Sequence, residues 1–228
     1  MELNERGLSG VFDAEDLAAV RSQLSEFQRL LTLYDFALQT VLTKVSILRD
    51  EFRLLHDYNP IEHVTSRMKS PESLILKVRR KGIPLTEEGL RENILDIAGV
   101  RLTCSFATDV YRVRDMLVRQ PDLTILEERD YIANPKPNGY KSLHLIVAVP
   151  VYLTDGVEQV TVEIQLRTIA MDLWASLEHK IYYKYDKDVP RHLTDALKLA
   201  ADVAESLDVS MQRIHEEVLA IPPHSEGD

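Results

Sequence analysis

The chain has one cysteine, Cys104, in 228 residues. A lone thiol excludes an internal disulfide and a paired-cysteine metal site within the chain. Its place in an apolar alternation predicts a buried, inert side chain and fits a reducing compartment. Long apolar runs are missing too: no stretch of about 18 such residues occurs, so no membrane span or membrane partner is expected. The opening residues, MELNERGLSG, are polar and acidic and do not read as a signal peptide. The expected location is the cytoplasm. Glycine is scarce, at 8 residues, and neither GxxxxGK[ST], GxGxxG nor GxSxG is present. Positive charge is in deficit, with 27 Lys and Arg against 37 Asp and Glu, giving a net charge of −10. That balance argues against broad, sequence-independent nucleic-acid binding. Any phosphate site must therefore be a local cluster of basic side chains on an acidic surface.

What is present fits an α/β (α+β) protein, a mixed β-sheet flanked by helices. A 45% apolar share in a chain of this length suffices for one domain with helical extensions. The expected divisions are a flexible N-terminus (1–13), N-terminal helices (14–58), a core (59–187), a C-terminal helix (188–220) and a disordered tail (221–228). From Ala14 to Tyr58 there is no Gly or Pro. Leu17, Val20, Leu24, Phe27 and Leu31 form one helical stripe; Val41, Val45, Leu48, Phe52 and Leu55 form another. This predicts one long helix, or two with a break near Thr32. The pair His56-Asp57 could belong to a metal-dependent phosphohydrolase, but that chemistry needs further His and Asp ligands nearby, which are absent. Ser70-Pro71-Glu72 predicts a helix start, and Gly82 its stop. Segment 67–81 holds Arg67, Lys69, Lys77, Arg79, Arg80 and Lys81 against one acid, Glu72. Such a run is either a solvated face or a polyphosphate site.

Three segments alternate with period two, which sends successive side chains to opposite faces of a sheet. In GVRLTCSF, Val100, Leu102 and Cys104 oppose Arg101 and Thr103. In SLHLIVAV, Leu143, Leu145, Val147 and Val149 oppose His144. In VTVEIQLRT, Val160, Val162, Ile164 and Leu166 oppose Glu163, Gln165 and Arg167. Thr168 can cap the helix that follows, in which Trp174 is expected in the core. Between the strands, NPKPNGYKSLH makes a stiff turn that presents Lys136, Tyr140, Lys141 and His144. Asp96 and Glu163 could together hold a hard cation if their strands are neighbours. Alternatively, Asp96 caps a turn and Glu163 pairs with Arg101 or Arg167.

Together, RMKSPESLILKVRRKG, ILDIAGVRL, DYIANPKPNGYKSLH and VEIQLRTIAMDLWASLEHKIYYK resemble the synthetase domain of the RelA/SpoT family, the (p)ppGpp synthetases. The resemblance runs from about Pro60 to Lys184, with its four motifs in order. The MDLWASLEHK ending and the length resemble the small alarmone synthetases. The resemblance implies a nucleotidyltransferase-like fold and transfer of pyrophosphate from ATP to the 3′-hydroxyl of GDP or GTP, leaving AMP. It implies an ATP site of Arg67, Lys69, Ser73, Lys77, Lys81 and Arg101, with the two arginines sandwiching adenine. A GDP/GTP site would comprise Lys136, Asn138, Tyr140, Lys141, Ser142, His144 and Arg167. There the Tyr140 ring, and not its hydroxyl, would act by stacking on guanine. Asp96 and Glu163 would hold Mg²⁺, with Glu163 also taking the 3′-hydroxyl proton and Gln165 orienting it, which makes Glu163, Gln165 and Asp96 the catalytic group. Small members are often homotetramers and some are stimulated by pppGpp. An allosteric (p)ppGpp or RNA effector is therefore an open expectation with no residue assigned. Glu127 and Arg129 give a mixed charge pattern where relatives set the GDP or GTP preference, and the preference stays open. The rival is a catalytically silent, synthetase-like nucleotide- or RNA-binding regulator. The two carboxylates beside phosphate-binding lysines argue against it.

Overall fold

Each of the three alternating segments forms a strand in the computed structural model, which describes residues 14–56, 58–185 and 189–221. Segment 1–13, Asp57, residues 186–188 and 222–228, and the side chains of Leu17 and Val20 lie outside the described residues. The element order is α1 (Ala14–Leu55), β1 (Ile61–Met68), α2 (Pro71–Lys81), α3 (Glu87–Asn93), β2 (Ala98–Cys104), α4 (Ala107–Val118), β3 (Thr124–Asp130), β4 (Leu143–Leu153), β5 (Gly156–Thr168), α5 (Ile169–Lys184) and α6 (Arg191–Ala220). The sheet runs β1-β2-β5-β4-β3. Its central pair, β2 and β5, is parallel, and the other pairs are antiparallel. This is the mixed sheet flanked by helices that the sequence predicts.

The apolar face of the sheet carries Val100, Leu102, Cys104, Leu143, Leu145, Val147, Val162, Ile164 and Leu166, all buried. It packs against α1 and α4, which supply Leu30, Leu33, Ala37, Val41, Val45, Val110, Val113 and Leu117 to the same core. Of the two readings offered for α1, the structure shows one unbroken helix through Thr32, whose hydroxyl donates back to the Gln28 carbonyl at 2.9 Å. One expectation needs correction: its buried stripe lies further inward than the sequence stripes place it, since Leu24 and Leu55 are 56% and 63% exposed. A 42-residue helix is about 63 Å long, so its ends overhang a sheet about 20 Å wide.

The edge strands β1 and β3 are not foreshadowed by the sequence. Both are largely polar and half-exposed, so neither shows the alternation of the inner strands. Helix α2 begins and ends as its sequence predicts. Ser70 accepts a hydrogen bond from the Ser73 amide, and Gly82 closes the helix at φ 65°. Trp174 is buried between α5 and α6, its Nε1 donating to the Leu197 carbonyl at 2.7 Å. No described helix is long and apolar enough to cross a membrane.

Candidate active site

Strand register builds one polar surface on the sheet face opposite α1. Arg101 on β2 lies beside Gln165 on β5, which lies beside His144 on β4, which lies beside Arg129 on β3. Glu163 and Arg167 flank Gln165 at two-residue spacing and therefore share its face. Gly99 sits between Glu163 and Arg67 of β1. Asp96 lies in the turn that leads into β2, the neighbour of the β5 strand that carries Glu163, close enough for its charge to act on Glu163.

Glu163 is 8% exposed. His144 Nδ1 lies 3.0 Å from its Oε1, and Gln165 Nε2 donates to its Oε2 at 2.9 Å. Burial alone would raise the Glu163 carboxyl, but the His144 and Gln165 contacts outweigh it and hold the group below the usual glutamate range. The alternative in which Glu163 pairs with Arg101 or Arg167 is not what the structure shows. The Tyr140 hydroxyl lies 2.7 Å from His144 Nε2 and accepts from Arg167 Nη2 at 2.7 Å. Nδ1 faces the carboxylate, which can only accept, so Nδ1–H donates to Glu163. The Tyr140 hydroxyl is thus engaged as well as its ring. Its ring also faces the Lys136 ammonium at 4.7 Å and the Arg167 guanidinium at 5.2 Å.

Asp96 is gripped by two ammonium groups, Lys77 at 2.5 Å and Lys69 at 2.9 Å. Burial opposes its ionisation, and the hydrogen bonds from Lys77 and then Lys69 overcome that, so its carboxyl is held low. Lys81 reaches the Asn93 carbonyl at 3.4 Å, and Ser73 sits in the capping turn of α2. Arg101 and Arg67 both line a cavity of about 450 Å³ with Lys136, Asn138, Tyr140, Gln165 and Arg167. Arg101 Nε is buried with no partner among the described residues, a donor that a ligand atom could satisfy. A larger groove of about 680 Å³ lies between α1 and the β4–β5 hairpin. Neither Asp96 nor Glu163 nor any residue of the polar sheet face lines it, so the smaller cavity is the one with chemistry.

Two expected site residues are turned elsewhere. Lys141 pairs with Glu205 of α6 and lines a separate cleft. Ser142 is fully buried, donates to the Leu166 carbonyl at 3.1 Å, tying β4 to β5, and accepts from Arg167 Nε at 3.4 Å behind the site. The turn itself is closed by Gly139 N–H to the Lys136 carbonyl at 2.8 Å and by Asn138, whose amide donates to Glu178 at 3.1 Å. Sequence reasoning missed Glu178 and Asp172 of α5. Asp172 accepts a hydrogen bond from Arg167 and forms an ion pair with Arg101. An acid in a first helical turn ordinarily reads as a dipole partner, and only the fold brings the arginines to it.

The family model for the region found in RelA / SpoT proteins matches residues 66–188. GTP pyrophosphokinase YwaC of Bacillus subtilis is 52% identical over 87% of this chain and 95% of its own length. The crystal structure of small alarmone synthetase 2 from Bacillus subtilis superposes with a TM-score of 0.78 at 52% identity, over 84% of this chain and 99% of that one. Small alarmone synthetase 1 from the same organism, bound to its product pppGpp, superposes with a TM-score of 0.79 at 39% identity, over 84% and 97% of the two chains. The four motifs, the polar sheet face and these likenesses agree, and the chain belongs to the RelA/SpoT family.

Proposed function

We propose that the chain is a GTP pyrophosphokinase, moving pyrophosphate from ATP to the 3′-hydroxyl of GDP or GTP and giving AMP with ppGpp or pppGpp. The observation that supports this is Glu163, a buried carboxylate whose pKa is held below the usual glutamate range by His144 and Gln165, on the sheet face that also carries Arg101 and Arg167. A silent nucleotide- or RNA-binding regulator has no use for a base so positioned. The 3′-oxygen attacks the β-phosphorus of ATP, its proton passes to Glu163, and the bond from the β-phosphorus to the AMP oxygen breaks. Catalysis of this kind is positioning and charge neutralisation. Gln165 steers Glu163, and the His144 Nδ1–H holds its other oxygen. Arg67 and Arg101 stack on adenine, with Lys69, Lys77 and Lys81 on the ATP phosphates. Tyr140 stacks on guanine, with Lys136, Asn138 and Arg167 around the acceptor.

The donor set fits Mg²⁺. A carboxylate in the turn before β2 and another on the neighbouring β5 suit a hard cation that leaves its other positions to water and phosphates. The described residues hold no group of three or more His, Cys, Asp or Glu that would make a full protein cage. Asp96 and Glu163 would hold the ion, which when bound supplies charge neutralisation for the phosphates. Glu127 and Arg129 form a bidentate pair at 2.6 Å, and the GDP or GTP preference stays open. A cytoplasmic homotetramer is the proposed assembly. Leu173 of α5 and Leu199, Val203 and Leu207 of α6 are all more than half exposed, an apolar surface that copies of the chain could bury. AMP release from ATP, measured with and without GDP, tests the reaction. Release that ignores GDP would refute it.

A further inference from the structure

We propose that Asp172 is a positioning residue that ties the ATP-side arginine, Arg101, to the acceptor-side arginine, Arg167, and so fixes how the two nucleotides meet. The proposal rests on the pyrophosphokinase reading above. The two arginines sit on adjacent parallel strands and on the same face, where Arg101 is level with Gln165 and Arg167 with Thr103. Like charges at that spacing repel. One oxygen, Asp172 Oδ1, accepts a hydrogen bond from Nη1 of Arg167 at 3.0 Å and forms an ion pair with Nη1 of Arg101 at 3.1 Å. Burial and the neighbouring Arg167 charge both work against the charged form of Arg101, and Asp172 opposes them.

The carboxylate is itself anchored. It lies in the first turn of α5, whose start is pinned by Thr168. The Thr168 hydroxyl accepts from the Met171 amide at 3.1 Å and donates to Asp208 of α6 at 2.7 Å. A guanidinium is a rigid planar fork, so fixing one Nη1 directs its remaining N–H groups. For Arg167 those reach the Tyr140 hydroxyl and Gln165 Oε1. For Arg101 they include the buried Nε that has no partner among the described residues. Because a single oxygen serves both forks, moving either arginine disturbs the other. Asp172 acts through these two side chains and not on the reacting atoms.

Asp172→Asn keeps the shape and removes the charge. Calorimetry should show weaker binding of a non-hydrolysable ATP analogue measured without GDP, and of GDP measured without ATP. Each dissociation constant is expected to rise about tenfold, equivalent to about 1.4 kcal/mol. Arg101→Lys should weaken the analogue first and Arg167→Lys should weaken GDP first, so a joint loss marks the shared carboxylate. Asp172→Glu, which restores the charge, should recover part of both affinities. If Asp172→Asn does not fold, Asp172→Glu carries the same test, with both affinities shifted together. A lowered melting temperature with unchanged affinities in the folded protein, or a loss confined to one nucleotide, overturns the proposal. Wild-type protein that binds neither nucleotide would instead fault the pyrophosphokinase reading, whereas normal wild-type binding with an indifferent Asp172→Asn faults only the role of Asp172.

Discussion

Gly139→Ala is the substitution whose cost can be worked most directly from the structure. Gly139 has φ of +90°, a conformation that side chains other than glycine resist at roughly 1–2 kcal/mol. A methyl group there would stand 2.5 Å from the Ala201 Cβ of α6, well inside ordinary contact, with Trp174 next at 3.9 Å. Overpacking of that kind costs about 1–3 kcal/mol. The two together give roughly 2–5 kcal/mol, which at about 2–4 °C per kcal/mol for a chain of this size is a fall of roughly 5–20 °C in Tm. Relief requires α6 to move away or the turn to open. Either disturbs the Asn138–Glu178 bond and the Tyr140 ring, so the KM for GDP should rise more than that for ATP. The double variant Gly139→Ala with Ala201→Gly removes the clash but keeps the backbone strain, and adds about 1 kcal/mol for glycine within a helix. A double-mutant cycle should therefore show favourable coupling. Wild-type Tm and KM in Gly139→Ala, or strict additivity in the cycle, would refute the reasoning.

Tyr140→Phe should not be mild: it strips two hydrogen bonds at 2.7 Å from buried partners, at a cost of about 1–3 kcal/mol, and should lower kcat with little change in the KM for GDP. Tyr140→Ala should add a rise in that KM worth about 1–3 kcal/mol of lost stacking, and steady-state kinetics separates the two effects. Burial pushes the Asp208 carboxyl up against its Thr168 bond, so its contribution to stability is full below the usual aspartate pKa and is lost as pH rises through the raised value. Asp208→Asn should then be at least as stable as wild type at pH 7 and lose that advantage at pH 4, in paired thermal melts; the opposite trend would contradict the assignment. Light scattering coupled to size exclusion should give four times the 26.1 kDa chain mass, and a fully active monomer would remove the tetramer.

The inner strands were legible because each has one face in the core and one toward the site, which shows as alternation along β2 and β5, while β4 alternates only at His144 before an apolar run that includes Ile146 and Ala148. Strands β1 and β3 escaped notice because an edge strand with a mostly polar surface has no such constraint. The ends of α2 were legible because Ser70, Pro71 and Gly82 act locally. The extent of burial along α1 was not, since it depends on where a straight helix crosses a narrow sheet. The same division holds in the site. Arg101, Glu163, Gln165 and Arg167 come to one face by strand periodicity alone. Lys141 follows the turn motif in sequence yet is drawn away by Glu205, an acid 64 positions further along. Asp172 and Glu178 matter through partners on other elements, which no local pattern records.

The central claim is that a buried, ionised Glu163 accepts the proton of an acceptor hydroxyl. The direct measurement follows AMP and 3′-pyrophosphorylated guanosine nucleotide formed from ATP and GDP by wild type and by Glu163→Gln. This substitution keeps the size of the side chain and removes its charge and basicity. The wild type should form both products in equal amounts. Turnover by Glu163→Gln should fall by at least about two to three decades, while calorimetry still detects both nucleotides. Near-wild-type turnover in Glu163→Gln, or AMP release without the guanosine product in the wild type, would contradict the account.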